Sequence, residues 1–242
     1  MIYTLDGKVR YSEVSENGNI TVEALVNYLQ DAVMLHSEYV GDGMKSLYER
    51  REGWFLSAWQ IDIEKIPMVY DEIKVHTSPY DFKGGFGSRN FWIEDCKGQR
   101  MIAANSYWIF MDLDKMCPKK VTEEASAPYL PMIPRIDMEY LPRKINVPAE
   151  CVPLKEIVVT REYIDTNHHV NNCKYIVAAM RALELFDVPK RIRAEYKKAA
   201  VLGNVFCPFY SVTDGNYTVD LRDENGASYA VITIEYNIGE LE

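Results

Sequence analysis

The run Tyr163-Ile164-Asp165-Thr166-Asn167-His168-His169-Val170-Asn171-Asn172-Cys173-Lys174-Tyr175 crowds polar and titratable side chains into one turn of the 242-residue chain. Histidine takes and returns a proton near neutral pH. A carboxylate at Asp165 can orient His169 and favour its charged form. The Asn167 carboxamide can polarise a carbonyl or place a water. An apolar helical pattern follows, and the first N–H groups of a helix lack partners within it and favour an anion. A carbonyl oxygen under attack becomes such an anion. Base, carboxylate, amide and helix end together suffice for water attack on a thioester without a covalent intermediate. The same residue types also have an ordinary use, because Asp and Asn before a helix are common caps. Cys173, four residues after His169, falls on the same helical face. A Cys–His nucleophile pair is conceivable there, but a cysteine in an apolar helix is more commonly a packing residue. His168 reads as a surface histidine, and neither His36 nor His76 has ligand spacing for zinc.

The elements that must position this turn read as one pattern written twice. In the first half, Val9–Val14 reads as a strand, and Thr21 caps a helix whose apolar positions run from Val22 to Met34 at helical spacing. A loop over 41–53 follows, with a short helix near Lys45–Arg50. Then come strands at Trp54–Ile63, Glu72–Ser78, Ser88–Glu94 and Met101–Asp112, each rich in β-branched or aromatic residues. In the second half, Ile157–Tyr163 reads as a strand and Val170–Phe186 as a helix. Strands follow at Arg191–Lys198, Val205–Thr213, Tyr217–Asp223 and Tyr229–Tyr236. The repeat holds in register: Lys65 falls over Lys198 and Asp71 over Asn204, 133 residues apart, and Asp95 falls over Asp223, 128 residues apart. A period of this length means a duplicated domain rather than a solenoid. Pro128, Pro131, Pro134, Pro142 and Pro148 stiffen the stretch between the halves. The expected division is an N-terminal domain over 1–127, a Pro-rich linker over 128–152 and a C-terminal domain over 153–242. Strand, long helix and four strands in each half suit a curved antiparallel sheet around one helix. The fold class expected is therefore α+β, a tandem hotdog.

Composition narrows the function classes. Hydrophobic residues make up 48% of the chain, enough for a sizeable core, and the net charge of −9 disfavours a general nucleic-acid binder. Five scattered cysteines with no CxxC pair argue against a disulfide framework or a cysteine-rich zinc site. No run of 18 apolar residues and no signal-like start is present, so a cytoplasmic location away from membranes is expected.

The segment Asp165-x-Asn167-x-His169-Val170-Asn171-Asn172-x-x-Tyr175 resembles the active-site segment of the acyl-ACP thioesterases. Trp54-Phe55-Leu56-Ser57 with Ile61-Asp62-Ile63 and Pro67, the Arg89–Glu94 strand and Ser106–Met111 also match that family's order. The resemblance implies a tandem hotdog fold, hydrolysis of fatty acyl-ACP, no metal and no organic cofactor. It assigns catalysis to Asp165, Asn167 and His169. It places chain-length selection in the first half, with Trp54 and Trp59 as candidates for the acyl tunnel and Val170 and Asn171 beside the substrate. The implied partner is an acyl carrier protein bearing a fatty acyl-phosphopantetheine, and a homodimer is compatible with it. Carrier proteins of this kind are acidic, so docking needs a local basic patch. Lys190, Arg191, Arg193, Lys197 and Lys198 form one candidate and Lys119-Lys120 another, though both also read as solvated surface. One departure stands out. Where the family usually continues Glu-Tyr-basic-basic with Glu and often Cys, this chain has Glu195-Tyr196-Lys197-Lys198-Ala199-Ala200. Alanine can neither take a proton nor attack. The two alanines leave a non-catalytic acyl-binding hotdog protein as an alternative; an acyl-CoA thioesterase, which changes the carrier but not the site, is another, with a hotdog dehydratase behind them.

Overall fold

A computed structural model describes residues 1–236. The chain divides into two compact units, one of Met1–Ser57 with Ile63–Leu141, the other of Ala58–Asp62 with the chain from Pro142 onward.

In the first unit, β1 (Tyr3–Lys8) and a 3-10 turn (Tyr11–Glu13) precede α1 (Val22–Tyr39) and α2 (Met44–Glu49). Then come β2 (Glu52–Ile63, shared between the units), β3 (Glu72–Lys83), β4 (Phe86–Asp95), β5 (Arg100–Asp112), β6 (Cys117–Pro118) and α3 (Glu123–Ser126). β1, β3, β4 and β5 are successive antiparallel neighbours, and α1 packs on β1 and β3. Thr21 accepts the Ala24 N–H to start α1. Gly41, in the left-handed region at φ 80°, ends it, with its N–H and that of Asp42 returning to Glu38 and Ser37. Leu25, Val26, Leu29 and Ala32 on the helix and Ile73, Val75, Phe91 and Ile93 on the strands are almost wholly buried. Each large aliphatic side chain so buried contributes about 1.5–3 kcal/mol.

The second unit holds β7 (Val152–Pro153), β8 (Ile157–Val158), a 3-10 turn (Arg161–Tyr163), α4 (Asn172–Ala182), β9 (Arg191–Tyr196), β10 (Val205–Thr213), β11 (Asn216–Arg222) and β12 (Ser228–Glu235). Its antiparallel order is β7-β10-β11-β12-β9, followed by Ala58–Asp62 of β2, which pairs with β9 from Ala58↔Glu195 to Asp62↔Arg191. α4 packs on β11 and β12 through Tyr175, Ile176, Ala178, Ala179 and Met180. Each unit therefore has the strand, helix and four-strand order expected of a hotdog.

Several boundaries differ from the sequence expectation. The strand expected at Val9–Val14 is a 3-10 turn, and pairing is instead made by β1, whose residues alternate between partly buried and exposed. The strand expected at Ile157–Tyr163 pairs only over Ile157–Val158 before the chain turns. The second helix starts at Asn172, not Val170, because the Asn171 carboxamide accepts the Cys173 N–H as cap. It ends at Ala182 rather than Phe186. Glu184 takes a left-handed φ of 56°, and the N–H groups of Glu184 and Leu185 bond back to Arg181 and Met180.

The duplication extends to individual hydrogen bonds. Ser15 N–H to Asn19 O (2.9 Å) and Thr21 N–H to Glu13 O (2.9 Å) have their counterparts 150 residues on, in Asp165 N–H to His169 O (2.8 Å) and Asn171 N–H to Tyr163 O (2.8 Å). Ile20 N–H to Pro67 O corresponds to Val170 N–H to Ala200 O. The hairpin carboxylate Asp95 accepts from Lys97 and Gln99 and pairs with Lys65. Asp223 likewise accepts from Asn225 and Ala227 and pairs with Lys198.

Candidate active site

The polar turn of the second unit lies between the 3-10 turn and α4. It is closed by Asp165 N–H to His169 O (2.8 Å) and His168 N–H to Asp165 O (3.1 Å), and flanked by an Ile164↔Val170 bridge. The Asp165 carboxylate works inside it: Oδ1 accepts the N–H of Asn167 at 2.8 Å and of His169 at 3.4 Å. Asp165 thus fixes the backbone of the turn, and among the described residues no side chain bonds the imidazole of His168 or His169 or the Asn167 carboxamide. Asp165 and His169 are half-buried, and Asn167 and His168 are exposed. The turn therefore presents an imidazole and a carboxamide without partners among the described residues. The helix end behind them is mostly satisfied. The Cys173 N–H is capped by Asn171 (2.9 Å) and the Lys174 N–H bonds Asn171 O (2.9 Å). Among the described residues, none accepts the Asn172 N–H.

This geometry separates two duties of Asp165. Asp165→Ala removes both backbone bonds and is expected to cost about 1–2 kcal/mol of stability. Asp165→Asn keeps an oxygen acceptor, so its stability should stay within about 0.5 kcal/mol of the wild type. Urea unfolding of both variants checks the pair. Equal losses would mean that the charge, not the acceptor, holds the turn.

The remaining expected site residues fall as follows. Val170 is buried, and its N–H is committed to Ala200 O at 2.8 Å. Asn171 is the helix cap. Cys173 is buried inside α4, whereas His169 lies three residues before the helix begins, so the two do not share a helical face. Trp59 is buried in β2 of the second unit. Trp54, in the first unit, packs on Phe110 (4.6 Å between centroids) and Phe82 (5.7 Å). Of the five cations proposed for docking, three are engaged. Arg191 pairs with Asp62 (2.5 Å) and Glu235 (3.7 Å), Arg193 donates to Pro142 O, and Lys198 pairs with Asp223 (2.8 Å). The Asp223 contact holds Lys198 above the usual lysine range. Lys190 and Lys197 are exposed and have no partner among the described residues. In the second candidate pair, Lys119 is tied to Glu52 at 2.7 Å.

The departure on the neighbouring strand is explicit. Ala199 is exposed, and Ala200 is buried, with its N–H donated to the Tyr175 hydroxyl at 2.8 Å. Glu195, four residues before Ala199, is buried and accepts the Ile145 N–H at 3.0 Å, so it holds the connecting segment. No group of three or more His, Cys, Asp or Glu suited to a metal ion occurs among the described residues.

Two features escaped the sequence reading. One is an open cavity of about 560 Å³ lined by Arg161, Ile164, His168, Val201 and Leu202. Its signal was the exposed apolar pair Val201-Leu202 directly after the two alanines. The other is a buried polar network in the first unit. Arg89 donates to His36 Nδ1 (2.8 Å) and Thr77 Oγ1 (3.2 Å) and lies 5.4 Å from the Tyr129 ring centroid. Tyr129 donates to Asp42 (2.9 Å), which also meets Arg50. Burial pulls Arg89 down to about 10 and His36 down to about 3, the latter helped by the adjacent Arg89 charge. The spacing Leu29, Val33, His36 on the apolar face of α1 was the available hint.

Comparison with known proteins gives this geometry a context. The family model for the acyl-ACP thioesterase N-terminal domain matches residues 2–129. Oleoyl-acyl carrier protein thioesterase 2, chloroplastic, from Arabidopsis thaliana is 28% identical over 211 residues, covering 78% of this chain and 57% of that protein. Acyl-[acyl-carrier-protein] hydrolase FATB3, chloroplastic, from Cuphea viscosissima is 26% identical over 250 residues, covering 94% of this chain and 60% of that protein. The chain therefore spans a little over half the length of these relatives. Among solved structures, a putative oleoyl thioesterase from Lactobacillus plantarum superposes with a TM-score of 0.84 at 20% identity, covering 97% of this chain and 95% of that one. An acyl-ACP thioesterase from Bacteroides thetaiotaomicron gives 0.81 at 23% identity, covering 97% of each chain. These likenesses establish the α+β hotdog fold.

Proposed function

Because the chain belongs to the acyl-ACP thioesterase family, we propose that it hydrolyses fatty acyl-ACP thioesters to free fatty acids at the turn of Asp165, Asn167 and His169. The observation that carries this reading is the division of labour in the turn. Asp165 ties down the backbone, while the His169 ring and the Asn167 carboxamide stay unengaged among the described residues. His169 takes the proton of a water as it attacks the thioester carbon and passes it to the leaving thiolate. The half-buried Asp165 carboxylate holds the backbone of Asn167 and His169 and so positions the carboxamide and the ring. The Asn167 carboxamide and the Asn172 N–H at the positive end of α4 stabilise the oxyanion. In this reading 1–127 supplies acyl-chain selection, with Trp54 as the lining candidate, while Trp59 is buried in the second unit and 153–242 supplies the chemistry. Of the basic patch, Lys190 and Lys197 remain available to an acidic carrier. No helix of the described residues is long and apolar enough to cross a membrane.

The second reading, an acyl-binding protein without turnover, rests on Ala199 and Ala200. Rates with matched acyl-ACP and acyl-CoA decide among the readings. The expected outcome is a higher kcat/KM on the carrier protein. An equal or higher value on acyl-CoA moves the assignment to that carrier, and tight acyl binding with no release on either favours the non-catalytic protein.

A further inference from the structure

The cavity beside the turn plays no part in the proton transfers above, and its composition is specific. Arg161 and His168 supply the polar wall, with Ile164, Val201 and Leu202 as the apolar one. Arg161 is exposed and has no ion-pair partner among the described residues of a chain whose net charge is −9. Val201 and Leu202 are 42% and 50% exposed.

The internal duplication supplies a control within the same molecule. At the offsets that match the backbone bonds, the lining residues correspond to Tyr11, Val14, Gly18, Met68 and Val69 of the first unit. The apolar wall is kept in kind: Val14 for Ile164, Met68 for Val201 and Val69 for Leu202. Only the polar positions change, Tyr11 to Arg161 and Gly18 to His168. Gly18 and His168 share the left-handed conformation, with φ of 79° and 62°. Glycine adopts it freely, whereas a residue with a Cβ gives up about 1 kcal/mol there. The cationic and imidazole groups are thus present in the copy that carries the proposed catalytic turn and missing from the other, and one of them sits where the backbone favours glycine.

We propose that this cavity is the subsite for the phosphate end of a pantetheine thioester. The Arg161 guanidinium and the His168 ring N–H donate to the phosphate oxygens. Ile164, Val201 and Leu202 cover the dimethyl-substituted carbon that lies next to that phosphate in the pantetheine arm. A phosphate beside a branched apolar carbon is the ligand chemistry that this juxtaposition matches. The arm is flexible and many bonds long, so with its phosphate held here it folds back to bring the thioester to His169, the residue next to His168. The inference rests on the proposed thioester substrate but is tested without turnover.

The test is calorimetric titration of the full chain, wild type and Arg161→Gln, with phosphopantetheine and with pantetheine. The wild type is expected to bind the phosphorylated compound roughly tenfold more tightly, the worth of one charge-assisted contact, and Arg161→Gln to bring the ratio close to one. A wild-type ratio of one, or a ratio unchanged in the variant, overturns the subsite. Parallel titrations with coenzyme A and with a phosphopantetheine-bearing carrier protein identify the source, as the ligand that the substitution weakens more. Phosphate preference without hydrolysis leaves the subsite standing and removes the proposed reaction. Hydrolysis without phosphate preference does the reverse.

Discussion

Replacing His169 with alanine is expected to lower kcat for acyl-ACP hydrolysis by roughly 10²–10⁴-fold, the usual contribution of a positioned general base. Stability should change little. Among the described residues the imidazole has no hydrogen-bond partner, and the two contacts that tie residue 169 to Asp165 use its backbone N–H and carbonyl oxygen, which alanine retains. KM should move less than kcat, because the lost interaction belongs to the transition state rather than to binding. Steady-state rates alongside thermal unfolding separate this outcome from a damaged fold. A fall in both activity and stability would instead give the ring a structural role that the geometry does not show.

The second large effect concerns stability at acid pH. His36 has no exposed surface, its Nδ1 accepts from Arg89, and burial pulls its pKa down to about 3 from the ordinary 6.5. Between these values the unfolded chain binds a proton that the folded protein refuses. The folded state therefore keeps its full stability above about pH 6.5 and loses it progressively as the pH falls toward 3. By pH 4.5 the loss from this one group is on the order of 2–3 kcal/mol. His36→Gln keeps an oxygen that can accept from Arg89 but has no proton to gain. Urea unfolding at pH 7 and pH 4.5 should show a difference between the two pH values smaller by about that amount in the variant. Parallel losses in both proteins would show that the His36–Arg89 pair does not govern the acid response.

These two histidines mark where sequence reasoning succeeds and where it stops. The order of elements was legible because apolar spacing changes between period two and period 3.6 along the chain. The duplication was legible because Lys65 over Lys198 and Asp95 over Asp223 carry matching hairpin contacts. The polar turn before α4 was legible from residue types alone. Its internal wiring was not. Asp165 could face His169 or its own backbone, and it bonds the backbone because an acceptor two residues before an N–H closes a local turn more readily than it finds a side chain. Asn171 displaced the helix start for the same local reason. Glu195 and Ile145 are bonded at 3.0 Å although 50 residues separate them, and Arg89 and His36 at 2.8 Å across 53. Such pairings depend on how strands and helix come together, which no local pattern encodes. The basic patch failed in part for this reason, since Asp62, Glu235 and Asp223 had already claimed two of its cations.

The most direct test of the account is the release of free fatty acid from acyl-ACP by the wild-type chain, measured beside a folded His169→Ala variant. Steady release by the wild type and its near-complete loss in the variant are expected. Equal release by both proteins, or none by a wild type that still binds the acyl chain, would contradict this.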